Sequence, residues 1–166
     1  MILDNYDDFI KTILHKLKNH GIDVEKLNMD HIGYQASSDE DYNTLKNEFN
    51  NFGSLVSEEI VGGRRVGIYK LSQALQFHQY IIPAIELIAP KAGQTCPSAL
   101  EHVEFVLTES FDSFMNKYPD LHWDTTAINQ PGFPMIKIKL GDTIQVKFHL
   151  QPILEIVSGK TASNDG

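Results

Sequence analysis

The sequence predicts an α+β fold built from two tandem βαβββ modules, preceded by an N-terminal helix. The main observation is a duplicated phrase: residues 30–34 read Asp-His-Ile-Gly-Tyr, and residues 101–105 read Glu-His-Val-Glu-Phe. Both copies place an acid before a histidine, then a β-branched residue, and end on an aromatic residue. Each copy is followed by a helix signal and then by strand signals. Two copies at so long a period indicate a duplicated supersecondary unit rather than a solenoid.

The N-terminal helical extension, residues 1–27, is predicted to hold one helix over residues 6–19. Its apolar side chains recur at the helical period, and Gly21 follows as a residue suited to the C-terminal cap. The wide apolar face of this helix needs a partner. We expect either the outer surface of the first module or a second copy of the chain to cover it, so both a monomer and a homodimer are open.

The first module, residues 28–91, opens with the strand that carries the first duplicated phrase. A polar turn then leads into an amphipathic segment, where Ser38 and Asp41 resemble a helix-capping box. Three strand signals complete the module, and Gly62-Gly63 between the first two predicts a two-residue hairpin turn. These strands are predicted over residues 56–61, 65–71 and 80–88.

The second module, residues 100–157, repeats this order with shorter loops. After its duplicated phrase, apolar residues at helical spacing predict a helix over residues 111–118. The last two strand signals flank Gly141-Asp142, again a two-residue turn. Residues 158–166 are small and polar, and they are predicted to form a flexible tail. The strands are predicted over residues 125–129, 135–140 and 143–150, the first of them with the weakest apolar signal.

Strand parity places four ligand-type side chains on one face of the predicted sheet. Residues two apart on a strand share a face, and the apolar residues of these strands occupy the opposite face. If helices cover the apolar side, the ligand-type residues line the open side. Glu86 is aligned with His149 by laying residues 83–87 over residues 146–150. The four candidates are His31 and Glu86 in the first module, and His102 and His149 in the second.

The order and spacing of short phrases along residues 28–157 resemble the vicinal oxygen chelate superfamily, and more closely the YecM family. The resemblance implies a cupped, half-barrel mixed sheet with helices outside, and metal ligands on the first and fourth strands of each module. The superfamily usually has a glutamate or tyrosine where His149 stands. The phrases are Asp-His-Ile at 30–32, Gly-Arg at 63–64, Glu-Leu at 86–87, Pro-Lys at 90–91, Glu-His-Val-Glu at 101–104, Lys-Phe-His at 147–149 and Glu-Ile-Val at 155–157.

The four ligand-type residues suit a divalent metal ion. Imidazole and carboxylate groups bind Zn, Ni, Co, Mn and Fe(II), and ligand type alone does not choose among these metals. Two histidines and one glutamate also form the facial ligand set of non-haem Fe(II) enzymes. The alternative is that the histidines only form hydrogen bonds inside a polar cup. We expect one metal ion held by His31, Glu86 and His102, with His149 as a fourth ligand or a close neighbour.

Four further residues are candidates for roles beside the metal. Glu104 shares a face with His102, so it is a candidate catalytic residue for proton transfer, or otherwise a solvated strand carboxylate. Arg64 at the hairpin tip and Lys147 on the ligand face are candidates for binding an anionic substrate. Solubility for Arg64, and extension of the Lys147 ammonium into solvent, are the ordinary alternatives. Gly33 would leave space beside the metal.

Composition limits the partners and the compartment. The chain of 166 residues is 42% hydrophobic and has no long apolar run, which predicts a single domain over residues 1–166 and excludes a membrane-spanning helix. The net charge of −8 argues against nucleic-acid binding. The one cysteine, Cys96, excludes an intrachain disulfide and indicates the cytoplasm. A small molecule is therefore the expected partner.

Two classes of function fit these features. The first is a metal-dependent enzyme, an isomerase, lyase or dioxygenase acting on a small oxygenated or anionic molecule. The second is a non-catalytic protein that binds or sequesters a small molecule in the same cup. Ligand-type residues in both modules favour the enzyme, because a pure binder does not need them. The histidine at position 149, in place of the usual glutamate or tyrosine, keeps the second class open.

Overall fold

The chain folds into a seven-stranded mixed sheet with helices packed against it. The structure is a computed structural model that describes residues 3–164, with side chains through residue 159. In chain order the elements are α1 (Tyr6–Asn19), β1 (Asn28–Gln35), α2 (Asp39–Phe49), β2 (Gly53–Val61), β3 (Arg64–Phe77), β4 (Tyr80–Ile88), β5 (Ala99–Val106), α3 (Phe111–Asn116), β6 (Met135–Lys139), β7 (Gln145–His149) and α4 (Ile153–Asn164).

The two modules share one sheet, and their first strands lie side by side at its centre. The strand order is β2-β3-β4-β1-β5-β7-β6. Within each module the first strand pairs in parallel with the last, β1 with β4 and β5 with β7. The modules join through the antiparallel pair β1–β5, which relates them by an approximate twofold axis. The sheet does not close into a barrel, so the face opposite α1, α2 and α3 forms an open cup.

The first module has the predicted βαβββ order. Ser38 caps α2, because its hydroxyl oxygen accepts a hydrogen bond of 2.9 Å from the Asp41 backbone N–H. Gly62 and Gly63 both have positive φ, at 60° and 81°, which the predicted hairpin turn requires. The strands on either side of this turn are longer than predicted. The local sequence signals therefore identify every element of this half.

The second module lacks the strand that was predicted over residues 125–129. Those residues form a turn, and only Asp124 bridges to Lys137 at the edge of β6. The Asp124 carboxylate accepts hydrogen bonds from the Thr126 backbone N–H at 3.0 Å and the Thr126 hydroxyl at 2.6 Å. Such a side-chain bond to the following backbone favours a turn over a sheet ladder. The prediction of this strand was wrong for that reason.

The C-terminal segment continues as a helix where the sequence predicts a flexible tail from residue 158. The helix α4 extends to Asn164, while residues 165 and 166 lie outside the described residues. The Asp30 carboxylate accepts the Ile153 backbone N–H at 3.1 Å, which satisfies a donor at the start of the helix. Ile153 and Val157 then pack with Ile68 on the cup side of the sheet. This helix therefore walls part of the cup.

The main core lies on the opposite face of the sheet, under α1, α2 and α3. The apolar face of α1 is fully buried through Ile10, Ile13 and Leu17, so its partner is the chain's own core. Aromatic rings fill the second module, where Phe148 stacks on Phe105 at 5.7 Å between ring centroids. Between residues 3 and 164, no helix combines the length and the apolar composition needed to cross a bilayer.

Replacing Phe148 with alanine should lower the free energy of unfolding by about 3–5 kcal/mol, because a large buried ring leaves a cavity. The ring also contacts Phe114 and Trp123, at centroid distances of 4.9 and 5.8 Å. Urea denaturation measures the loss. Leu150→Ala is the matched control, since this neighbouring side chain is 47% exposed and its loss should cost less than about 0.5 kcal/mol. Equal effects of the two variants would contradict this view of the core.

Candidate metal centre

The two duplicated phrases meet at the centre of the sheet. The antiparallel register sets His31 opposite Glu104, and Gly33 opposite His102. Both histidines are fully buried, and their ring centroids are 5.9 Å apart. Strand parity alone predicts that these residues share a face. The structure adds that they are direct neighbours across one pair of strands.

Each histidine lies beside the acid that precedes it in the sequence, and the acid is within hydrogen-bond distance at His31. The register between β1 and β5 skips Asp30 on one strand and Glu101 on the other, which is the pattern of a β-bulge. An Asp30 oxygen lies 2.7 Å from Nδ1 of His31, and a Glu101 oxygen lies 3.7 Å from Nδ1 of His102. Both Nε2 atoms are then left facing the centre of the cup. Carboxylates hold metal-binding histidines in this way.

Sequence analysis missed Asp30 and Glu101 as site residues. Simple alternation along a strand places them on the face away from the histidines, and the bulges remove that alternation. A signal was present in the repeat itself, because an acid precedes the histidine in both copies. The duplicated phrase therefore encodes a histidine together with its orienting carboxylate.

Two further carboxylates complete a compact group of four side chains. Nε2 of His31 contacts Glu104 and lies 3.5 Å from an oxygen of Glu86. Nε2 of His102 lies 3.6 Å from Glu86 and 3.7 Å from Glu104. One donor atom from each of the four residues lies within 4.8 Å of all the others. The group draws His31 and Glu86 from one module, and His102 and Glu104 from the other.

His149 is close to this group but belongs to a second cluster. Its Nε2 lies 3.3 Å from Asp30, and its ring packs edge-on against Phe133 at 4.7 Å between centroids. The second cluster of potential ligands is Asp30, His31 and His149. The contact from His149 to Glu104 is 3.9 Å. His149 is therefore a neighbour of the four-residue group. Its ring contacts the ring of His31, which in turn contacts the ring of His102.

The register of β4 and β7 shows that Glu86 and His149, which were aligned in the sequence, do not occupy equivalent positions. Glu86 pairs with Gly33 across β1 and β4, and the corresponding pair across β5 and β7 is Glu104 with Lys147. His149 stands two residues further along β7. The counterpart of Glu86 under the approximate twofold axis is thus Lys147. The alignment of Glu86 with His149 had the correct face of the strand but a register shifted by two residues.

The polar atoms at the centre lack hydrogen bonds, although they are buried. Such atoms are rare in folded proteins and call for an explanation. Those of His31, His102 and Glu104 belong to residues of the four-residue group, so a cation placed there would satisfy several at once. Among the described residues these atoms are Nε2 of His31, both ring nitrogens of His102, both carboxylate oxygens of Glu104 and both ring nitrogens of His149.

The charges of the group also suit a divalent cation. Burial disfavours the ionised carboxylates, yet the neighbouring histidines outweigh it and hold the pKa of Glu86 and of Glu104 below the ordinary value. Burial would likewise lower the pKa of His31, but the Glu104 and Asp30 carboxylates raise it well above its usual value. Two ionised carboxylates and two neutral imidazoles together carry two negative charges, which a divalent ion neutralises.

Gly33 is required by the position of the His102 ring. A Cβ atom built on Gly33 would lie 1.9 Å from Cε1 of His102, which is far inside van der Waals contact. Under the approximate twofold axis, the counterpart of Gly33 is Glu104. One module therefore supplies a carboxylate at this place, while the other leaves room for an imidazole.

A cavity of about 570 Å³ adjoins the group on the open face of the sheet. Glu86 and Lys147 line it, and so does Arg64, whose guanidinium lies 3.5 Å from the Gln35 side-chain oxygen. Its volume falls within the range of ordinary small-molecule sites. Both residues that the sequence suggested for anion binding thus reach the same cavity.

These features define a protein of the glyoxalase-like, vicinal oxygen chelate fold. The solved structure of a variant of Streptomyces coelicolor methylmalonyl-CoA epimerase in complex with 2-nitronate-propionyl-CoA has a TM-score of 0.54 at 12% identity, over 76% of this chain and 99% of that chain. The hypothetical protein BH1468 from Bacillus halodurans C-125 has a TM-score of 0.53 at 12% identity, over 76% and 96% of the two chains. At such identities the likeness establishes the fold alone.

The chain belongs to the YecM family, whose model, described as YecM protein, matches residues 1–151. Protein YecM of Escherichia coli K12 is 25% identical over 171 residues, 93% of this chain and 90% of the relative. An uncharacterized protein of Haemophilus influenzae is 26% identical over 113 residues, 66% of this chain and only 59% of that relative's length. The structure of Protein EC4020 has a TM-score of 0.78 at 22% identity, over 96% and 91% of the two chains.

Replacing Gly33 with alanine should displace the His102 ring and lower the free energy of unfolding by about 1–3 kcal/mol, the usual cost of overpacking. Thermal and urea denaturation measure the change. Gly159→Ala is the control, because this helical glycine has open space around its missing Cβ and the change should be neutral or stabilising by up to about 1 kcal/mol. A Gly33→Ala protein as stable as the unchanged protein would show that His102 is free to move.

Proposed function

We propose that this protein binds one divalent metal ion between its two modules and acts on a small oxygenated or anionic molecule. The observation that carries the proposal is the four-residue group: buried donor atoms from both copies of the duplicated phrase converge within 4.8 Å. We assign His31, Glu86 and His102 as ligands, and Glu104 as the fourth ligand or the proton-transfer group. His149 becomes a neighbour that shares Asp30 with His31 rather than the fourth ligand.

The residues divide the chemistry between them. When bound, the metal supplies Lewis-acid polarisation of two neighbouring oxygen atoms of the ligand. Asp30 orients the imidazole of His31 through Nδ1, and Glu101 lies near Nδ1 of His102. Glu104 is the carboxylate placed to accept or return a proton, which favours an isomerase or a lyase over a dioxygenase. Lys147 and Arg64 bind the negative charge of the ligand from the cavity side.

The alternative is a non-catalytic protein that binds or sequesters its ligand. One observation favours it: His31, His102 and Glu104 are fully buried, and of the four only Glu86 lines the cavity. Four strong protein ligands around a metal make a closed, structural site, whereas three leave a position for substrate. The role of Glu104 therefore separates the two functions.

The partner that we propose is a small molecule, and neither nucleic acid nor a membrane. The solved neighbours include an epimerase in complex with a CoA ester analogue, so this fold accommodates such ligands. We also propose a cytoplasmic location, in keeping with the single Cys96, whose thiol is free.

Stoichiometric metal binding should depend on both central histidines. Protein purified without chelator, or titrated with Zn²⁺ or Co²⁺ after stripping, should bind about one equivalent, since one donor group can hold one ion. His31→Ala and His102→Ala should each abolish this binding, as measured by elemental analysis and calorimetry. His20→Ala is the control, because His20 is exposed at the end of α1. Less than a tenth of an equivalent in the unchanged protein would end the metal proposal.

Metal binding near neutral pH should release a proton. The carboxylates around His31 hold its pKa above its ordinary value, so the metal-free protein keeps a proton there that a metal ligand must lose. The apparent affinity should therefore rise with pH, by up to about tenfold per pH unit for one proton released. Calorimetry in buffers of different ionisation enthalpy counts the protons. A proton count of zero between pH 6 and 8 would show that His31 does not exchange its proton for the ion.

A free coordination position should be visible in Co²⁺-loaded protein. Glycolate, a simple α-hydroxy acid, should change the visible absorption spectrum if three protein ligands leave room for it. Glu104→Gln should keep stoichiometric Co²⁺ if Glu104 transfers protons, and should lose affinity if Glu104 is a ligand. A spectrum that glycolate never alters, together with metal loss in Glu104→Gln, would favour the non-catalytic function.

A further inference from the structure

Two lysines form a direct cross-strand pair beside the candidate metal centre. In the antiparallel register of β6 and β7, Lys137 stands opposite Lys147, and both side chains line the cavity. Lys147 is only 8% exposed, and Lys137 is half-buried. Like charges placed directly opposite each other on a sheet are destabilising. An anion bound beside this pair would relieve the repulsion.

Among the described residues no carboxylate forms a direct ion pair with either lysine, although Glu86, Glu101 and Glu104 attract Lys147 from beyond 4 Å. Among residues 3–164, Lys46 and Lys117 are the lysines that form ion pairs. Neither Lys137 nor Lys147 has a carboxylate within 4 Å in that range. Asp124 faces Lys137 across the edge bridge and attracts it electrostatically, while its Oδ1 atom accepts both hydrogen bonds from Thr126. The buried ammonium of Lys147 thus borders the cavity without a direct ion pair.

Two more cations face the same space. Arg64 and Lys91 line this cavity, and the same four cations also line an adjoining cavity of about 630 Å³. Burial lowers the pKa of Lys137, and the positive charges of Lys147, Lys91 and Arg64 lower it further. Two acids share the first cavity: Glu86 faces the histidines, and Glu59 has an interaction of its own. Positive charge therefore exceeds negative charge on this wall.

The twofold relation of the modules shows why a cation stands at position 147. Lys147 occupies the place that corresponds to Glu86, where symmetry would put a second carboxylate. The second module provides its carboxylate from the neighbouring strand instead, through Glu104. Position 147 on β7 can therefore hold a side chain that lines the cavity.

Part of the cavity wall is apolar. This part comes from the C-terminal helix, from β2 and β3 and from the loop before β6, and it suits a short carbon skeleton between polar ends. The residues of this wall include Ile60, Val66, Phe133, Ile153, Ile156 and Val157.

We propose that Lys137 and Lys147, flanked by Arg64 and Lys91, bind a second anionic group, a carboxylate or a phosphate, on the ligand whose oxygens meet the metal. The substrate class is then a small hydroxy or oxo acid with two anionic ends. This assignment extends the proposed function. It rests on that function only for the end of the ligand that meets the metal. The lysine pair itself is independent of metal.

Three probes test the assignment by calorimetry on the full chain. 2-Hydroxyglutarate and 2-hydroxyvalerate share the same α-hydroxy acid end and five carbon atoms, and only the first has a second carboxylate. 3-Phosphoglycerate replaces that carboxylate with a phosphate. 2-Hydroxyglutarate and 3-phosphoglycerate should each bind at least about tenfold more tightly than 2-hydroxyvalerate, because a charge-assisted contact replaces an apolar one. The tighter of these two probes shows whether the lysines prefer a carboxylate or the more highly charged phosphate.

The variants Lys147→Gln and Lys137→Gln should each remove most of this preference while metal stoichiometry stays unchanged. Lys70→Gln is the matched control, because Lys70 is an exposed strand lysine outside the cavity. Without ligand, Lys137→Gln should melt at the same temperature as the unchanged protein or higher, since a like-charge pair is relieved. Lys147→Arg should retain the preference, which separates lost charge from lost folding.

The outcomes distinguish this proposal from the metal proposal. If the protein binds no metal, the comparison of 2-hydroxyglutarate with 2-hydroxyvalerate on the metal-free protein still tests the lysine pair. Equal affinities for the two acids, or a preference that survives both glutamine variants, would overturn the anionic subsite. A preference lost in Lys137→Gln and Lys147→Gln but kept in Lys70→Gln would support it.

Discussion

The antiparallel pairing of β1 with β5 is the constraint on which the rest of the site depends. It joins the two halves of the duplication and brings both histidines to the middle of one sheet. A slip of one residue would turn one of the two strands over, and either His31 and Gly33 or His102 and Glu104 would then point to the helix-covered face. The same slip would expose the apolar residues between them. The hydrophobic core and the polar centre therefore specify one register together.

Local signals in the sequence were sufficient for much of this structure. Helical periodicity defined α1, paired glycines defined the β2–β3 hairpin, and strand parity separated the apolar face from the polar one. These features depend on residues close together in the chain. The duplication then implied that both histidine phrases have equivalent surroundings. The fold class and the residues of the cup face followed from these observations.

The remaining features depend on contacts between distant segments, which parity does not determine. Parity places Glu86, Lys147 and His149 on one face, but only the register decides which of them stand in equivalent places. The bulge at Asp30 breaks the alternation and adds a buried acid to that face. The C-terminal helix is held by that same acid, far away in sequence, so its composition alone predicted a loose tail.

Asp30 connects the C-terminal helix, which lines the cavity, to His31 in the candidate metal centre. One carboxylate orients the imidazole of His31, contacts His149 and receives the first backbone N–H of α4. Substitutions in the C-terminal helix that tilt its first turn would consequently be transmitted to His31 through a single short side chain. The shape of the cavity and the orientation of the central imidazole are therefore coupled in this protein, because both depend on one residue.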